Sequence, residues 1–497
     1  MAVRGQGDLA MTAIDRRTFL RGAAATAGAA LLGGPFTGFA AMPSSVSRKP
    51  AFRGLRPVKD ERDLAERLWL RDGFRYRSFH DTEFAVTLDD GTALPGNHDG
   101  MGAFPGPDGN TILVRNHEIN NPGPPFGPLT PYDSQARGGT TTIEVSPHGE
   151  VVNAYTSLNG TQMNCAGAAM PWGSYISCEE TVNGPDVGPD FTGVSNIPLT
   201  KPHGYIYEVP VDGPSDSQPI TAAGRFAHEA VVFDPQHGVL YLTEDDFQFP
   251  SGLFRYLPAT DPLTGGHLDN DGRLQMLAVD DRPNLDLAAE QPARATYKVH
   301  WVDIEDPNPV FPYTPGVGAP TANLDAISHV ARQGFAQGAA YFSRLEGIAY
   351  EESVVYFTST QGGGSAETSF GPIANGYGNG HGQVWAYHTN SEKLELVFQS
   401  PDRATLDFPD NVTTSKRGTL ILCEDNTEDN FIRGLTRNGK LFDIALNRLV
   451  SRTGVDRSGD EFAGSTFSAN GETLFVNIQA PAGMSFAIWG PWERIGV

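Results

Sequence analysis

The chain has 497 residues, and its 36 Lys and Arg against 59 Asp and Glu give a formal net charge of −23. This charge excludes a protein that binds nucleic acid by attracting its phosphates. The 57 Gly and 37 Pro predict many turns between short strands, which favours one large all-β domain over several small ones. Three Cys cannot form a disulfide framework, and no segment predicts a membrane-spanning helix in the mature protein.

The first forty residues predict an export signal. Residues 16–21, Arg-Arg-Thr-Phe-Leu-Arg, precede an uncharged stretch rich in Ala and Gly, and they resemble the twin-arginine signal for export of folded proteins. We expect the twin-arginine export machinery to act on the chain, cleavage after Ala40, and a mature protein (41–497) in the periplasm or outside the cell. An uncleaved anchor is the alternative interpretation.

One helix and many strands are predicted for the mature chain. Leu64, Leu68 and Trp69 recur at helical spacing, which predicts a helix over residues 60–71. Short runs rich in Val, Ile, Tyr and Phe then predict strands at Thr111–Asn116, Gly204–Pro210, Gly238–Thr243, Gly252–Leu257, Tyr297–Ile304, Val354–Ser359, Gly382–His388 and Thr473–Gln479.

Six stretches repeat one order: a polar residue, a strand, a turn, a second strand and a second polar cluster. The copies begin at Asp99, Asn164, Glu229, Glu346, Asp410-Asn411 and Gly464, and they lead to Glu118, Cys178-Glu179-Glu180, Glu244-Asp245-Asp246, Ser359, Glu424-Asp425-Asn426 and Gln479. A repeat of this size predicts an all-β fold, a six-bladed β-propeller with a few short helices in insertions. One long interval indicates an insertion at about 258–343, with a possible helix over 326–342.

The two polar positions of each copy should lie at the same end of an antiparallel strand pair, and radial repetition would point them at one mouth of a central channel. Repulsion between so many carboxylates favours a bound cation. The oxygen donors expected there are those that calcium prefers, from Glu118, Glu229, Glu346, Asp410, Asn411 and Asp425. Polar loops whose acids are simply solvated are the alternative.

The cysteines leave two interpretations open. Cys178 lies within a polar cluster of the predicted mouth, where a thiolate favours a transition metal such as iron or zinc. Cys165 opens the hairpin that Cys178 closes, so the two side chains could instead form a cross-strand disulfide. Cys423 follows an apolar run and is predicted to be a buried packing residue.

Arg344 is the one base placed directly beside the acidic ring. Strand alternation would put it on the same face as Glu346, where its planar fork of donors matches phosphate oxygens. An ordinary ion pair between Arg344 and Glu346 is the alternative. His117 and His228 each precede an acid, and alternation should turn them away from the carboxylates, in a supporting position.

These motifs resemble the PhoX-type secreted alkaline phosphatases from about Asn97 to the end of the chain. The resemblance rests on Asn116-His117-Glu118, Asn164-Cys165-Ala166-Gly167, Ser177-Cys178-Glu179-Glu180, Arg344-Leu345-Glu346-Gly347, Pro409-Asp410-Asn411, Cys423-Glu424-Asp425-Asn426 and Asn477-Ile478-Gln479. It implies a six-bladed, twin-arginine-exported propeller that hydrolyses small phosphate monoesters with calcium and iron as cofactors.

The resemblance also implies roles for single residues. Cys178 would be an iron ligand, Glu118 and Glu229 carboxylate ligands, and Glu346 a calcium ligand and catalytic residue. Arg344 would clamp the substrate phosphate. Further metal or substrate contacts would come from Glu179, Asn411 and Asp425, in a protein that acts as a monomer.

Three hypotheses follow for function. The first is a metal-dependent phosphatase that needs no side-chain nucleophile. The second is a calcium-dependent lactonase or phosphotriesterase, which would use the carboxylates but neither a thiolate nor an Arg clamp. The third is a non-catalytic secreted propeller that binds calcium.

Overall fold

The computed structural model describes residues 54–497 of the chain. The predicted twin-arginine signal and its cleavage site lie outside the described residues. Within the described part, none of the helices is long and apolar enough to cross a membrane.

Short antiparallel strands make up most of the described chain. They are β1 (Leu55–Lys59), β2 (Glu66–Arg71), β3 (Arg75–Phe79), β4 (His98–Pro105), β5 (Thr111–His117), β6 (Gly138–Val145), β7 (Val151–Thr161), β8 (Asn164–Met170), β9 (Ser174–Glu179), β10 (Ile206–Pro210), β11 (His228–Asp234), β12 (Val239–Glu244), β13 (Leu253–Pro258), β14 (Gly272–Val279), β15 (Thr296–Asp303), β16 (Leu345–Glu351), β17 (Val354–Ser359), β18 (Gln383–His388), β19 (Lys393–Gln399), β20 (Pro409–Thr414), β21 (Leu420–Glu424), β22 (Phe431–Leu435), β23 (Leu441–Asn447), β24 (Phe462–Phe467), β25 (Thr473–Ile478) and β26 (Met484–Trp489). Every strand predicted from the sequence is present.

Helices are few and short. They are α1 (Pro262–Gly265), α2 (Asn323–Ile327), α3 (His329–Ala336) and α4 (Trp492–Ile495), with 3₁₀ turns at Pro107–Gly109 and Thr221–Ala223. The predicted insertion at 258–343 therefore contains two strands and three short helices, and α2 and α3 stand where one helix over 326–342 was predicted.

The strands pair in chain order into antiparallel groups. One sheet is β4 to β7, another β8 to β10, and a nine-stranded sheet joins β11 to β14 with β16 to β19 through β15. The last two groups are β20 to β23 and β24 to β26. The N-terminal strands complete both of these, because β2 pairs with β23 and β3 pairs with β26.

The nine-stranded sheet contains two strand groups, β11 to β14 and β16 to β19, so the described chain has six groups in all. The first strands of these six groups surround a common centre. Each contacts the next, in the order β4, β8, β11, β16, β20 and β24, and β24 contacts β4 again. They line a narrow central channel of about 200 Å³, whose wall includes Gly100, Ala166, Ala230, Gly347 and Ser465. The apolar cores lie between neighbouring groups, as in the cluster of Ile432, Ile444, Val476 and Phe486.

The predicted helix over residues 60–71 is wrong, because Glu66–Arg71 forms β2. Leu68 and Leu70 are buried while Arg67 and Trp69 are only half-buried, which is the two-residue period of a strand. Leu64, which made the spacing look helical, is instead an exposed turn residue with φ of 66°.

Candidate metal centre

A β-bulge occurs at the same place in all six inner strands. In each hairpin the inner strand has one extra residue directly after its first or second position, before regular pairing resumes. The bulged pairs are Asp99-Gly100, Cys165-Ala166, Glu229-Ala230, Glu346-Gly347, Asp410-Asn411 and Gly464-Ser465. A bulge re-aims side chains locally, and here it does so six times around one centre.

The two residues of each bulge face different spaces. The second residue of every pair lines the narrow channel between the inner strands. The first residue of five pairs lines a separate cavity of about 650 Å³, namely Asp99, Cys165, Glu229, Glu346 and Asp410. At the sixth position Gly464 offers no side chain, so the ring of donors is open on that side.

The backbone turns sharply just before four of the inner strands. Asn97, Met163, Arg344 and Phe408 have φ between 43° and 54°, in the left-handed region. Non-glycine residues rarely adopt this conformation, and it clusters at functional sites. In each case the turn lies two residues before the side chain that enters the cavity.

Seven side chains form three overlapping groups whose ligand atoms lie within 4.8 Å of one another. The groups are Asp99, Glu118 and Cys165; Cys165, Glu180 and Glu229; and Glu229, Glu346 and Asp410. Cys165 and Glu229 each belong to two groups, so the three form one continuous cluster. Glu118 directly follows β5, and Glu180 directly follows β9. These two strands pair with β4 and β8, which carry Asp99 and Cys165.

Burial and like charge work against ionisation in this cluster. Burial first, and then the charges of Glu118 and Asp410, raise the pKa of Asp99 well above its ordinary value. Burial, together with Glu346 and Asp410, does the same to the pKa of Glu229. The pKa of the Cys165 thiol is raised by burial and by Glu180. Such a cluster is stable in its charged form only with a counter-charge, so these residues fit bound cations.

Neighbouring amides hold the cluster in place. The Nε2 of Gln479 donates to Asp99 Oδ2 and to Glu118 Oε2, each at 2.7 Å. The Sγ of Cys165 lies 2.9 Å from Glu180 Oε2. Gln479 directly follows β25, so the last strand group helps to position Asp99 and Glu118 from the first.

Arg344 lies in the cavity wall between two carboxylates. Its Nε and Nη2 atoms donate to the two oxygens of Asp245, at 3.2 and 3.0 Å, and Nη2 also donates to Glu346 Oε1 at 2.6 Å. Arg344 and Glu346 share one face as predicted, and they also form the ion pair that was the alternative interpretation, so the role of Arg344 toward a phosphate stays a prediction. Asp245, which the sequence analysis placed in a polar cluster without a role, fixes the plane of the guanidinium.

The structure brings together Glu118, Glu229, Glu346 and Asp410, as the sequence analysis expected. Asp425 also lines the cavity but belongs to none of the three groups. Asn411 faces the channel instead. Its Nδ2 donates to Asp410 Oδ1 at 2.9 Å, and its Oδ1 accepts from the Gly464 N–H, so it joins β20 to β24 rather than acting as a ligand.

The structure does not place Cys178, the predicted iron ligand, in the cavity. Cys178 is fully buried in an apolar cluster with Ile176, Ile206 and Phe254, and it belongs to none of the candidate groups among the described residues. Cys165 is the thiol in the cavity. The disulfide alternative is not supported either, because Cys165 and Cys178 are both free thiols. Cys423 is buried in an apolar cluster, as predicted.

Glu179, also predicted as a ligand, lies outside the cavity lining, and its oxygens accept hydrogen bonds from other groups. They accept from the N–H groups of Gln162, Gly204 and Tyr205 and from His203 Nδ1, the last at 2.6 Å. On its other side His203 Nε2 lies 3.5 Å from Asp133 Oδ2. This buried triad anchors the segment between β9 and β10, and its neighbour Glu180 is the residue that enters the cavity.

Three donors were missed as ligands: Asp99, Cys165 and Glu180. The signal for Asp99 was its place at the start of the first repeat, where the later copies carry Glu229 and Glu346. Cys165 follows the first residue of its repeat by one position, which is the bulge position in the structure. His117 and His228 turn away from the cavity as predicted and contact the carbonyl oxygens of Gly96 and Gly224.

Comparison with solved structures supports this fold. Pseudomonas fluorescens PhoX in complex with vanadate, described as a transition state analogue, matches with a TM-score of 0.62 and 16% sequence identity over 88% of this chain and 97% of that chain. A gluconolactonase from Xanthomonas campestris has a TM-score of 0.38 at 11% identity, over 87% and 97% of the two chains. Comparison with curated protein sequences gives no match.

The chain is thus a β-sheet protein with a candidate metal-binding site. Its inner strands place buried carboxylates and one thiol in a single cavity. The family model of alkaline phosphatase PhoX matches residues 56–154 and 139–482. The chain belongs to this family, and it is therefore a phosphatase that acts on phosphoric monoesters.

Proposed function

We propose that the chain hydrolyses phosphate monoesters in the cavity above the inner strands, with calcium and a transition metal, iron, held by the seven clustered side chains. One observation carries the proposal: the three donor groups and Arg344 line the same cavity. A metal centre beside a fixed guanidinium is a combination that can stabilise the charge of a transferring phosphoryl group.

The chemistry of the donors distinguishes the two kinds of metal. Glu229, Glu346 and Asp410 supply only oxygen atoms, which calcium prefers. The two groups that contain Cys165 add a sulfur ligand, which favours a softer ion such as iron. Bound cations would polarise the phosphoryl oxygens and offset the negative charge of the substrate.

Arg344 is the residue to which we assign the substrate phosphate. Asp245 fixes two of its nitrogen atoms, so the guanidinium is positioned before the substrate arrives. Such a group stabilises charge that grows on phosphoryl oxygens in the transition state. Among the described residues, the cavity lining includes no Ser or Thr hydroxyl, which agrees with a reaction that uses no side-chain alcohol as nucleophile.

We also propose a blade number, an export route and an oligomeric state for the protein. We interpret the six inner strands as those of a six-bladed propeller, supported by their closed order of contacts. Pseudomonas fluorescens PhoX was solved with vanadate, described as a transition state analogue, and this supports a phosphatase reaction for this chain. The Arg-Arg motif at residues 16–17 supports export by the twin-arginine machinery, and we propose that the protein acts as a monomer.

Phosphate release from p-nitrophenyl phosphate, measured with metal content by elemental analysis, tests the function. We expect hydrolysis by protein that contains calcium and iron. Glu229→Gln should lose most activity and metal, because Glu229 is shared by two donor groups. Glu290→Gln, an exposed position outside the cavity lining, is the matched control. A protein that binds no metal, or one that hydrolyses lactones but not phosphate esters, would refute the proposal.

A further inference from the structure

An aromatic ring, that of Phe191, lines the cavity, and a hydrogen-bond network fixes the turn that carries it. Phe191 lines the cavity and is 36% exposed, although it is a large apolar side chain. It lies in the segment between β9 and β10, which also carries the cavity residue Glu180. Isolated exposed aromatics are common, but this one lines a cavity whose other side chains are mostly polar.

Asp190 fixes the turn that carries Phe191 through both of its carboxylate oxygens. Its Oδ1 accepts from the N–H and the hydroxyl of Thr192, which makes a tight turn with Phe191 at the apex. Its Oδ2 accepts from the amides of Asn120 and Asn183, each at 2.9 Å. Asn183 also donates to Asn120 Oδ1, which ties the turn to the segment that follows Glu118.

A positively charged side chain, that of Arg137, lines the same cavity as Phe191. Arg137 directly precedes β6, lines the cavity and is exposed. Within the described residues, its side chain makes no hydrogen bond or ion pair. Gly123 leaves room for it, since a Cβ at that position would lie 2.7 Å from the Cδ of Arg137. The guanidinium is therefore available to an anionic group at the cavity mouth.

We propose that Phe191 and Arg137 form a subsite for the leaving group of the ester, one that prefers a planar aromatic leaving group carrying a further negative charge. The proposal rests on the proposed function, because it places the phosphate at the metal centre. The ring of Phe191 stacks on the aromatic group, and Arg137 pairs with its anionic substituent. Both residues act on selectivity and take no part in bond breaking.

Non-hydrolysable phosphonates test the subsite without differences in leaving-group reactivity. We expect Phe191→Ala to weaken inhibition by phenylphosphonate at least about fivefold, the lower range for loss of aromatic stacking. Methylphosphonate, which has no ring, should change less than about twofold. Phe191→Leu, which keeps an apolar side chain in the turn, should behave like Phe191→Ala. Phe370→Ala is the matched control, because Phe370 is exposed but outside the cavity lining.

The charge preference is tested with 4-carboxyphenylphosphonate. Arg137→Gln should weaken its inhibition about two- to fivefold relative to phenylphosphonate, and about 0.5 M salt should remove the difference. Arg273→Gln, exposed at the start of β14, is the control. If phenylphosphonate inhibits wild type and both Phe191 variants equally, the subsite is wrong. If neither methyl- nor phenylphosphonate inhibits the wild type and no phosphate is released, the proposed function itself fails.

Discussion

Arg344 combines a left-handed backbone with two carboxylate partners, and this makes it the most constrained single residue of the site. Its φ is 43°, and its guanidinium contacts both Asp245 and Glu346. Lys at this position keeps one positive charge but loses the fork that spans two oxygens. We expect Arg344→Lys to lower phosphatase kcat by one to three orders of magnitude, about 1.4–4 kcal/mol, with metal content unchanged.

Asp245→Asn provides the control for that measurement. Asn keeps the size of the side chain but weakens the bidentate pair, so kcat should fall by less than in Arg344→Lys. Near-wild-type turnover of Arg344→Lys, or loss of metal together with activity, would mean that Arg344 only balances the charge of Glu346.

The two neighbouring cysteines give a matched pair at the residue scale. Cys165→Ser should lose the transition metal and activity while the protein stays folded, because Cys165 lies in the cavity. Cys178→Ser should keep both but lose about 1–3 kcal/mol of stability, since a hydroxyl enters an apolar cluster. Elemental analysis with urea unfolding measures both effects. Iron lost from folded Cys178→Ser would restore Cys178 as the ligand.

Sequence reasoning at this scale found the right positions in the repeat but not always the right side chain. It located Glu118, Glu229 and Glu346 because antiparallel pairing places the two polar positions of each repeat at the same end of a hairpin. It chose Cys178 over Cys165 because Cys178 lies within a polar cluster of the predicted mouth. The β-bulge at Cys165-Ala166 changes which side chains of the strand point into the cavity, and Cys165 is the one that lines it. Nothing in the residue types marks the position of that bulge.

The segment between β9 and β10 depends on a buried charge network. Burial alone would lower the pKa of His203, but the charges of Glu179 and Asp133 outweigh it and raise the pKa to about 9. A histidine with a raised pKa stabilises the fold fully below its unfolded pKa, near 6.5, and this contribution is lost as pH rises through about 9.

The free energy of unfolding should therefore depend on pH through His203. His203→Gln should lower the free energy of unfolding by about 3 kcal/mol at pH 6, and the difference from wild type should shrink as the pH rises from about 6.5 to about 9. Urea unfolding at several pH values measures this. The exposed His148→Gln is a control and should track the wild type throughout. A deficit that stays constant from pH 6 to pH 10 would mean that His203 is neutral in the fold.

At the scale of the whole molecule, the sequence repeat predicted the hairpins because each copy carries the same polar ends. It did not reveal how the chain closes. Strand β3 pairs with β26, so residues near the two ends of the described chain form one sheet. Such a pairing has no local signal, and the spacing of Leu64, Leu68 and Trp69 pointed to a helix where β2 pairs with β23. Long-range pairing overrode the local pattern.

The ring of inner strands brings together carboxylates from different sheets, so bound cations should stabilise the molecule as a whole. Glu229, Glu346 and Asp410 come from β11, β16 and β20, and without a counter-charge their repulsion acts between strand groups. We expect chelation to lower the melting temperature by several degrees and calcium to restore it, because an ion that binds only the folded state adds about 2.7 kcal/mol at a hundredfold excess over its Kd.

Differential scanning calorimetry of Asp410→Asn separates this effect from general ionic strength. With one charge removed, the chelated variant should melt higher than chelated wild type but gain less from added calcium. Asp456→Asn, which lies outside the cavity lining, should reproduce both wild-type curves. Equal melting temperatures of wild type with and without calcium would show that the cluster holds protons rather than cations at neutral pH, and that the ring is stable without metal.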